Sequence, residues 1–375
     1  MKAYNKNTAN FMQSSLHDVL NSFLNGGFSY KGFALYPLIK DVSAENKKRL
    51  YVIANDLNIR TIGKGHLNSV NFAAALCEIY KKISFNGRIA KAAEKKPARI
   101  FDLSQYPKED MQYLKPIEYI RKVADEKLKK FAAGFYIHGS ISTNDYIKGW
   151  SDVDTLIILK SSVFEAPKNL LEIRDILYGL RANFCSVDPL QHHGVMVVTE
   201  HDLGYYPEVF LPIDALNCSK SLMSDDKTIK FNIRDSKEEA MLKLNWVMGY
   251  FKSLEPRKAK NSYELKFMLH LAALFPALYL EAKGIYLYKK FTFELAEKDF
   301  SEEDWKPIKY AEKTRKEWLI KGSMPFLGGI SKINPVLAYR LNSLYIDLIG
   351  GIKNKVDVKL IVEGMGNLAD KGKFY

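Results

Sequence analysis

Asp152 and Asp154 stand one residue apart at the head of the apolar run "TLIIL". If that run is a strand, alternate side chains share a face, so the two carboxylates project together and Val153 points the other way. Paired carboxylates repel each other unless a cation lies between them. A divalent cation with oxygen ligands answers that need. Magnesium takes one or two carboxylates, keeps several waters and completes its shell with substrate phosphates. Upstream, the apolar run "FYIH" ends in Gly139-Ser140. Backbone N–H groups and a hydroxyl just after a strand suit a phosphate, above all where a helix begins. Together these residues describe a metal–triphosphate site, the arrangement that metal-assisted phosphoryl transfer needs.

The elements that must position these residues read as follows. Residues 131 to 235 carry short β-rich runs, "FYIH", "DTLIILK" and "HGVMVVTE", with the helical stretch "APKNLLEIRDILYGLRANF" between the second and third. That is the strand–helix–strand texture of an α/β or α+β unit. Residues 1 to 130 read as mostly helical, for example "HLNSVNFAAALCEIYKKISF" and "IEYIRKVADEKLKKF". Residues 236 to 375 read as helical again. Ser236 with Glu239 three residues on predicts a capping box. Pro276 should kink or divide the helix it lies in, and Gly284 should end it. "RTIGKGH" (60–66) has the look of a phosphate loop but lacks the spacing and the terminal Lys-Ser/Thr.

Gly139-Ser140, eleven residues, then Asp152-Val153-Asp154 before an apolar strand resembles the signature of the polymerase-β-like nucleotidyltransferase superfamily. The resemblance implies an α+β fold, a nucleotidyltransferase-type mixed sheet flanked by helices. A helical N-terminal region (1–130) and a helical C-terminal domain (236–375) would surround the catalytic unit (131–235). It implies that Asp152 and Asp154 hold catalytic Mg2+ or Mn2+. Gly139 and Ser140 would bind the phosphates of a nucleoside triphosphate, and an acceptor hydroxyl would displace pyrophosphate. The family's third carboxylate is missing. Aligned on the pattern, its place falls near His193-Gly194 in "DPLQHHGVMVVTEHDL". Either His193 or His192 stands in, or an acid arrives from Asp188, Glu200 or Asp214. A histidine can ligate a metal or take a proton near neutral pH, so His193 joins the catalytic candidates. The departure leaves a second reading open: a nucleotidyltransferase fold kept as an inactive binding module for nucleotide, nucleic acid or a protein partner. Further on, the helix ending at Gly284 and then Lys289-Lys290 resembles the helical domain of aminoglycoside-type and minimal nucleotidyltransferases. Those lysines could reach phosphates.

The bulk composition agrees with such an enzyme. The chain has 375 residues, 47% hydrophobic and 26% charged, which predicts more than one domain with real cores. The net charge of +13 favours polyanionic partners, nucleotides and nucleic acid among them. Most lysine runs, such as "ENKKRL" and "EKLKKF", sit beside acids and read as solvated helix faces. Cys77, Cys185 and Cys218 are widely separated, which excludes a disulfide framework and a zinc pattern and suits a cytoplasmic protein. No signal peptide and no membrane partner are expected. The acceptor is open: a small molecule, a protein side chain or an RNA end.

Overall fold

The computed structural model describes residues 6–25, 44–59, 68–191, 193–255, 259–318, 324, 326, 329–330, 335–350 and 355–371. The chain opens with helices α1 (Lys6–Leu24), α2 (Ala44–Asp56) and α3 (Ser69–Lys82), then strand β1 (Ile89–Lys95) and helix α4 (Met111–Val123). The central unit runs β2 (Ala132–Ile137), α5 (Gly139–Ser142), β3 (Thr155–Leu159), α6 (Pro167–Val187), β4 (Met196–Thr199), α7 (Glu200–Leu203), β5 (Tyr206–Pro207), α8 (Ile213–Asn217), β6 (Lys220–Ser221) and β7 (Ile229–Arg234). Helices follow: α9 (Lys237–Ser253), α10 (Ser262–Ala282), α11 (Thr292–Glu297), α12 (Glu302–Lys316), α13 (Pro335–Gly350) and α14 (Val358–Asp370).

The strands make two sheets. One has the order β4-β3-β2-β6, with β3 and β4 parallel and β2 antiparallel to both its neighbours. The other has the order β1-β7-β5, also mixed. The fold is therefore α+β, with mixed sheets flanked by helices. Both faces of the first sheet are covered, which explains its unbroken apolar strands. Phe135, Ile157 and Val197 face a core shared with Leu16 and Phe23 of α1, Leu76 of α3, Ile120 of α4 and Ile173 of α6. Tyr136, Leu156, Ile158 and Val198 face the opposite core, with Phe231 and Ile233 of β7. A further core joins Leu244, Leu269, Phe275, Ile308 and Met365 from α9, α10, α12 and α14. One hydrophobic core thus spans position 130.

The outer edge of β4 is closed by side chains at the end of α1 and just past it. Asn21 donates Nδ2–H to the Val197 carbonyl (2.8 Å) and accepts the Val197 N–H (2.7 Å). Asn25, one turn on, does the same with Val195 (2.8 and 2.9 Å). Each asparagine amide substitutes for a neighbouring strand's peptide group, so an edge that could pair with another chain is satisfied internally.

Several details differ from the sequence reading. β1 lies within the stretch read as helical; "IAKAAEK" has an alanine–lysine composition, and only pairing along β7 makes it a strand. Ser236 does precede α9, but no capping box forms. Its hydroxyl meets the Tyr286 hydroxyl at 3.0 Å, Glu239 pairs with buried Arg234 at 2.6 Å, and Asp235 accepts the Lys237 N–H. Pro276 does not divide α10, which is continuous from Ser262 to Ala282 and buried on nearly every side. Packing outweighs the one hydrogen bond that proline removes. Gly284 does stop it, at φ +83°, and Ile285 N–H reaches back to the Leu280 carbonyl at 2.9 Å. By length and mean hydropathy (1.3) α10 could cross a membrane, against the expectation from sequence, but 89% of its apolar window is buried inside the protein. The "RTIGKGH" segment lies outside the described residues.

Candidate active site

β2 and β3 are antiparallel neighbours, so the end of β2 and the approach to β3 lie side by side. His138 N–H donates to the Asp154 carbonyl at 2.9 Å, extending that pairing past the strands. The chain then turns sharply at Gly139, whose φ is +72°. A Cβ here would stand 2.5 Å from Asp154 Oδ2, so glycine is required twice over, by backbone angle and by space. Ser140 follows at the start of α5, its Oγ 3.0 Å from Ser151 Oγ, which in turn accepts the Ile147 N–H. These bonds tie the Gly-Ser turn to the loop that delivers the aspartates.

Asp152 and Asp154 precede β3 rather than lying within it. The alternation holds nonetheless. Val153 is fully buried, its N–H and carbonyl bonded to the Gln191 side chain at 2.9 and 3.3 Å. The same glutamine donates to the His193 carbonyl at 3.0 Å and so holds the two loops together. His193 Nε2 lies 3.0 Å from Asp154 Oδ1 and 3.4 Å from Asp152 Oδ2. Its Nδ1 faces the Gly194 carbonyl at 3.1 Å. Burial works against charge on this ring, but the two carboxylates win and hold His193 well above the usual histidine range. Burial raises Asp154 as well, yet the bond to His193 brings it below the ordinary aspartate value. Ligand atoms of Asp152, Asp154 and His193 lie within 4.8 Å of one another. Two oxygens and one nitrogen at that spacing fit a single divalent cation.

Cations surround the cluster. Lys266 of α10 places Nζ 2.6 Å from both Asp152 Oδ1 and Asp188 Oδ2. Lys289, just past α10, is half-buried. Burial pushes its ammonium down to about 8, Arg315 adds to the fall, and Asp154 and Asp152 oppose it. Lys290 pairs with Asp145 at 3.3 Å. The Tyr288 hydroxyl meets Thr143 Oγ1 at 3.1 Å, which docks this segment on the turn after Ser140.

Gly139, Ser140, Asp152, Asp154 and His193 thus come together. The other suggested acids do not complete the cluster. Asp214 accepts the Tyr288 N–H at 2.8 Å and Glu200 accepts the Ser161 N–H at 2.8 Å. Asp188 is fully buried and serves Lys266 and the Leu190 N–H. His192 lies outside the described residues. Lys266 and Gln191 were missed in the sequence. A lone lysine in the apolar run "SYELKFMLHLAALF" was the one available signal, since a charge buried on an apolar helix needs a partner.

The chain carries a nucleotidyltransferase domain: the family of that description matches residues 117–240. This places the domain in the polymerase-β-like nucleotidyltransferase superfamily, whose general chemistry is transfer of a nucleoside monophosphate from a triphosphate. No curated protein and no solved structure matches the chain.

Proposed function

We propose that the protein transfers a nucleoside monophosphate from ATP or another nucleoside triphosphate to a hydroxyl of its acceptor, with a divalent cation. The observation that carries this reading is the convergence of Asp152, Asp154 and His193 beside the Gly139 turn. The three side chains would hold the cation, Mg2+ or, given the imidazole nitrogen, Mn2+. When bound, it would neutralise the triphosphate and the charge developing at the α-phosphorus. The chain's own residues do the rest. Gly139 and Ser140 offer backbone N–H groups and a hydroxyl to the phosphates. Lys289 supplies a cation from the facing helical region. The acceptor oxygen bonds to the α-phosphorus, the α–β bridge breaks, and pyrophosphate takes the electron pair. The hydroxyl proton leaves to water on the open side of the cluster, beside Asp154, whose side chain is 33% exposed against 6% for Asp152. Catalysis here is positioning and charge neutralisation.

One observation favours a second reading, a module that binds nucleotide without turnover. The family's pattern would put its third carboxylate near His193-Gly194, and His193 is ion-paired to both aspartates. Pyrophosphate release separates the two. The assay takes each NTP in turn with Mg2+ or Mn2+, and total RNA, cell metabolites or no acceptor. Release that disappears in Asp154→Asn supports the transferase. No release, with NTP still raising the melting temperature, supports the binding module. The basic charge favours an RNA acceptor over cationic small molecules. The free thiols of Cys77, Cys185 and Cys218 suit the reducing cytoplasm.

A further inference from the structure

The buried ion triad behind the metal cluster assigns a task to a helix outside the matched domain. Lys266 of α10 reaches the site, and its side chain is 2% exposed. Its ammonium is held by three residues on two segments. Asp152 Oδ1 lies 2.6 Å away on the loop before β3, and Asp188 Oδ2 lies 2.6 Å away after α6. The Trp150 ring centroid lies 5.5 Å away, on the same loop as Asp152. Asp188 is itself anchored, its other oxygen accepting the Leu190 N–H at 3.0 Å. Lys266 therefore has a fixed position, and Asp152 Oδ1 is fixed with it. The consequence is geometric: Asp152 turns Oδ2, not Oδ1, toward His193 Nε2. Stability alone does not account for such a triad, because apolar residues often replace buried ion pairs at no cost.

The geometry points to Lys266 as the positioning residue of the candidate metal site, a lysine that holds Asp152 in a single-oxygen ligand pose and joins the C-terminal helices to the chemistry. This inference rests on the metal-dependent transferase reading above. Outer-shell partners of metal ligands set ligand orientation, and their loss costs roughly 10–100-fold in metal affinity or activity.

The test uses the full chain, Mn2+ binding followed by electron paramagnetic resonance, and pyrophosphate release. Lys266→Met alone leaves two buried carboxylates facing each other and can fail to fold. The double variant Lys266→Met/Asp188→Asn removes the ammonium together with its second carboxyl partner and keeps Asp152, and thermal unfolding checks that it folds. In the folded double variant, Mn2+ affinity and kcat each fall roughly 10–100-fold, while KM for the NTP stays within about threefold. Wild-type Mn2+ affinity and turnover in the double variant would overturn the inference. Tighter Mn2+ binding would also overturn it, because a lysine that only neutralised charge is then lost at no cost. A wild-type chain that neither binds Mn2+ nor releases pyrophosphate sinks the transferase reading itself, and this inference with it.

Discussion

At the scale of single residues, the site depends on close approach. Gly139→Ala puts a methyl group against Asp154 Oδ2 and strains the left-handed backbone. The expected result is a stability loss of about 1–2 kcal/mol and a much larger loss of turnover, read by thermal unfolding and pyrophosphate release on one preparation. Asp152→Asn and Asp154→Asn should each lower turnover by more than the roughly 100-fold upper range of an outer-shell loss, with far-ultraviolet circular dichroism unchanged. Lys289 adds a pH dependence. It faces Arg315, Asp152 and Asp154, and its neighbours Tyr288 and Lys290 contact Thr143 and Asp145. Burial pushes it down to about 8, so it is charged below that pH and loses its proton as pH rises through it. A triphosphate prefers the charged form, and NTP affinity should therefore weaken above pH 8. In Lys289→Gln that step should vanish. An unchanged step in the variant would remove Lys289 from the phosphate site.

At the scale of elements, the same chemistry depends on how helices meet strands. Asn21 of α1 and Asn25 just past it close the edge of β4, and Asn25 bonds the backbone at Val195, two residues beyond His193. Asn25→Ala leaves the Val195 N–H and carbonyl without those partners. Unmade buried hydrogen bonds cost about 1–3 kcal/mol, and the His193 loop loses a tether. The melting temperature and kcat should fall together. A fall in melting temperature with kcat unchanged would show that the loop holds His193 without α1. In α10, Leu269 is fully buried in the C-terminal core. Leu269→Ala should cost about 2–5 kcal/mol in urea unfolding.

At the scale of the whole molecule, the candidate site lies where the sheet-based core meets the C-terminal helical core. Lys266 to Asp152, Tyr288 to Thr143, Lys290 to Asp145 and the Trp150–Trp318 ring contact all cross that junction. A ligand that binds both sides stabilises the folded chain by mass action, about 2.7 kcal/mol at a hundred times its Kd. An NTP with Mn2+ should raise the melting temperature, and Asp154→Asn should abolish that rise. Equal rises in both proteins would place nucleotide binding elsewhere on the chain.

What the sequence determined by itself is local. The spacing from Gly139-Ser140 to Asp152 and Asp154, the apolar runs of β2, β3 and β4, and the stop at Gly284 depend on neighbours in the chain. The backbone angle, the two-residue alternation and the helix end follow from residue type at those positions. What only the tertiary structure decided depends on partners far along the chain. β1 became a strand because β7 offers it a ladder some 140 residues later. Ser236 and Glu239 gave up their capping box to Tyr286 and Arg234. Pro276 stayed inside a helix because packing surrounds it. Asp214 and Glu200, plausible by type, are consumed as caps for distant backbone N–H groups, while Lys266, on a helix beyond the matched domain, came to hold Asp152. A buried charge takes whichever opposite charge the fold brings within about 3 Å, and that choice is not written in sequence spacing.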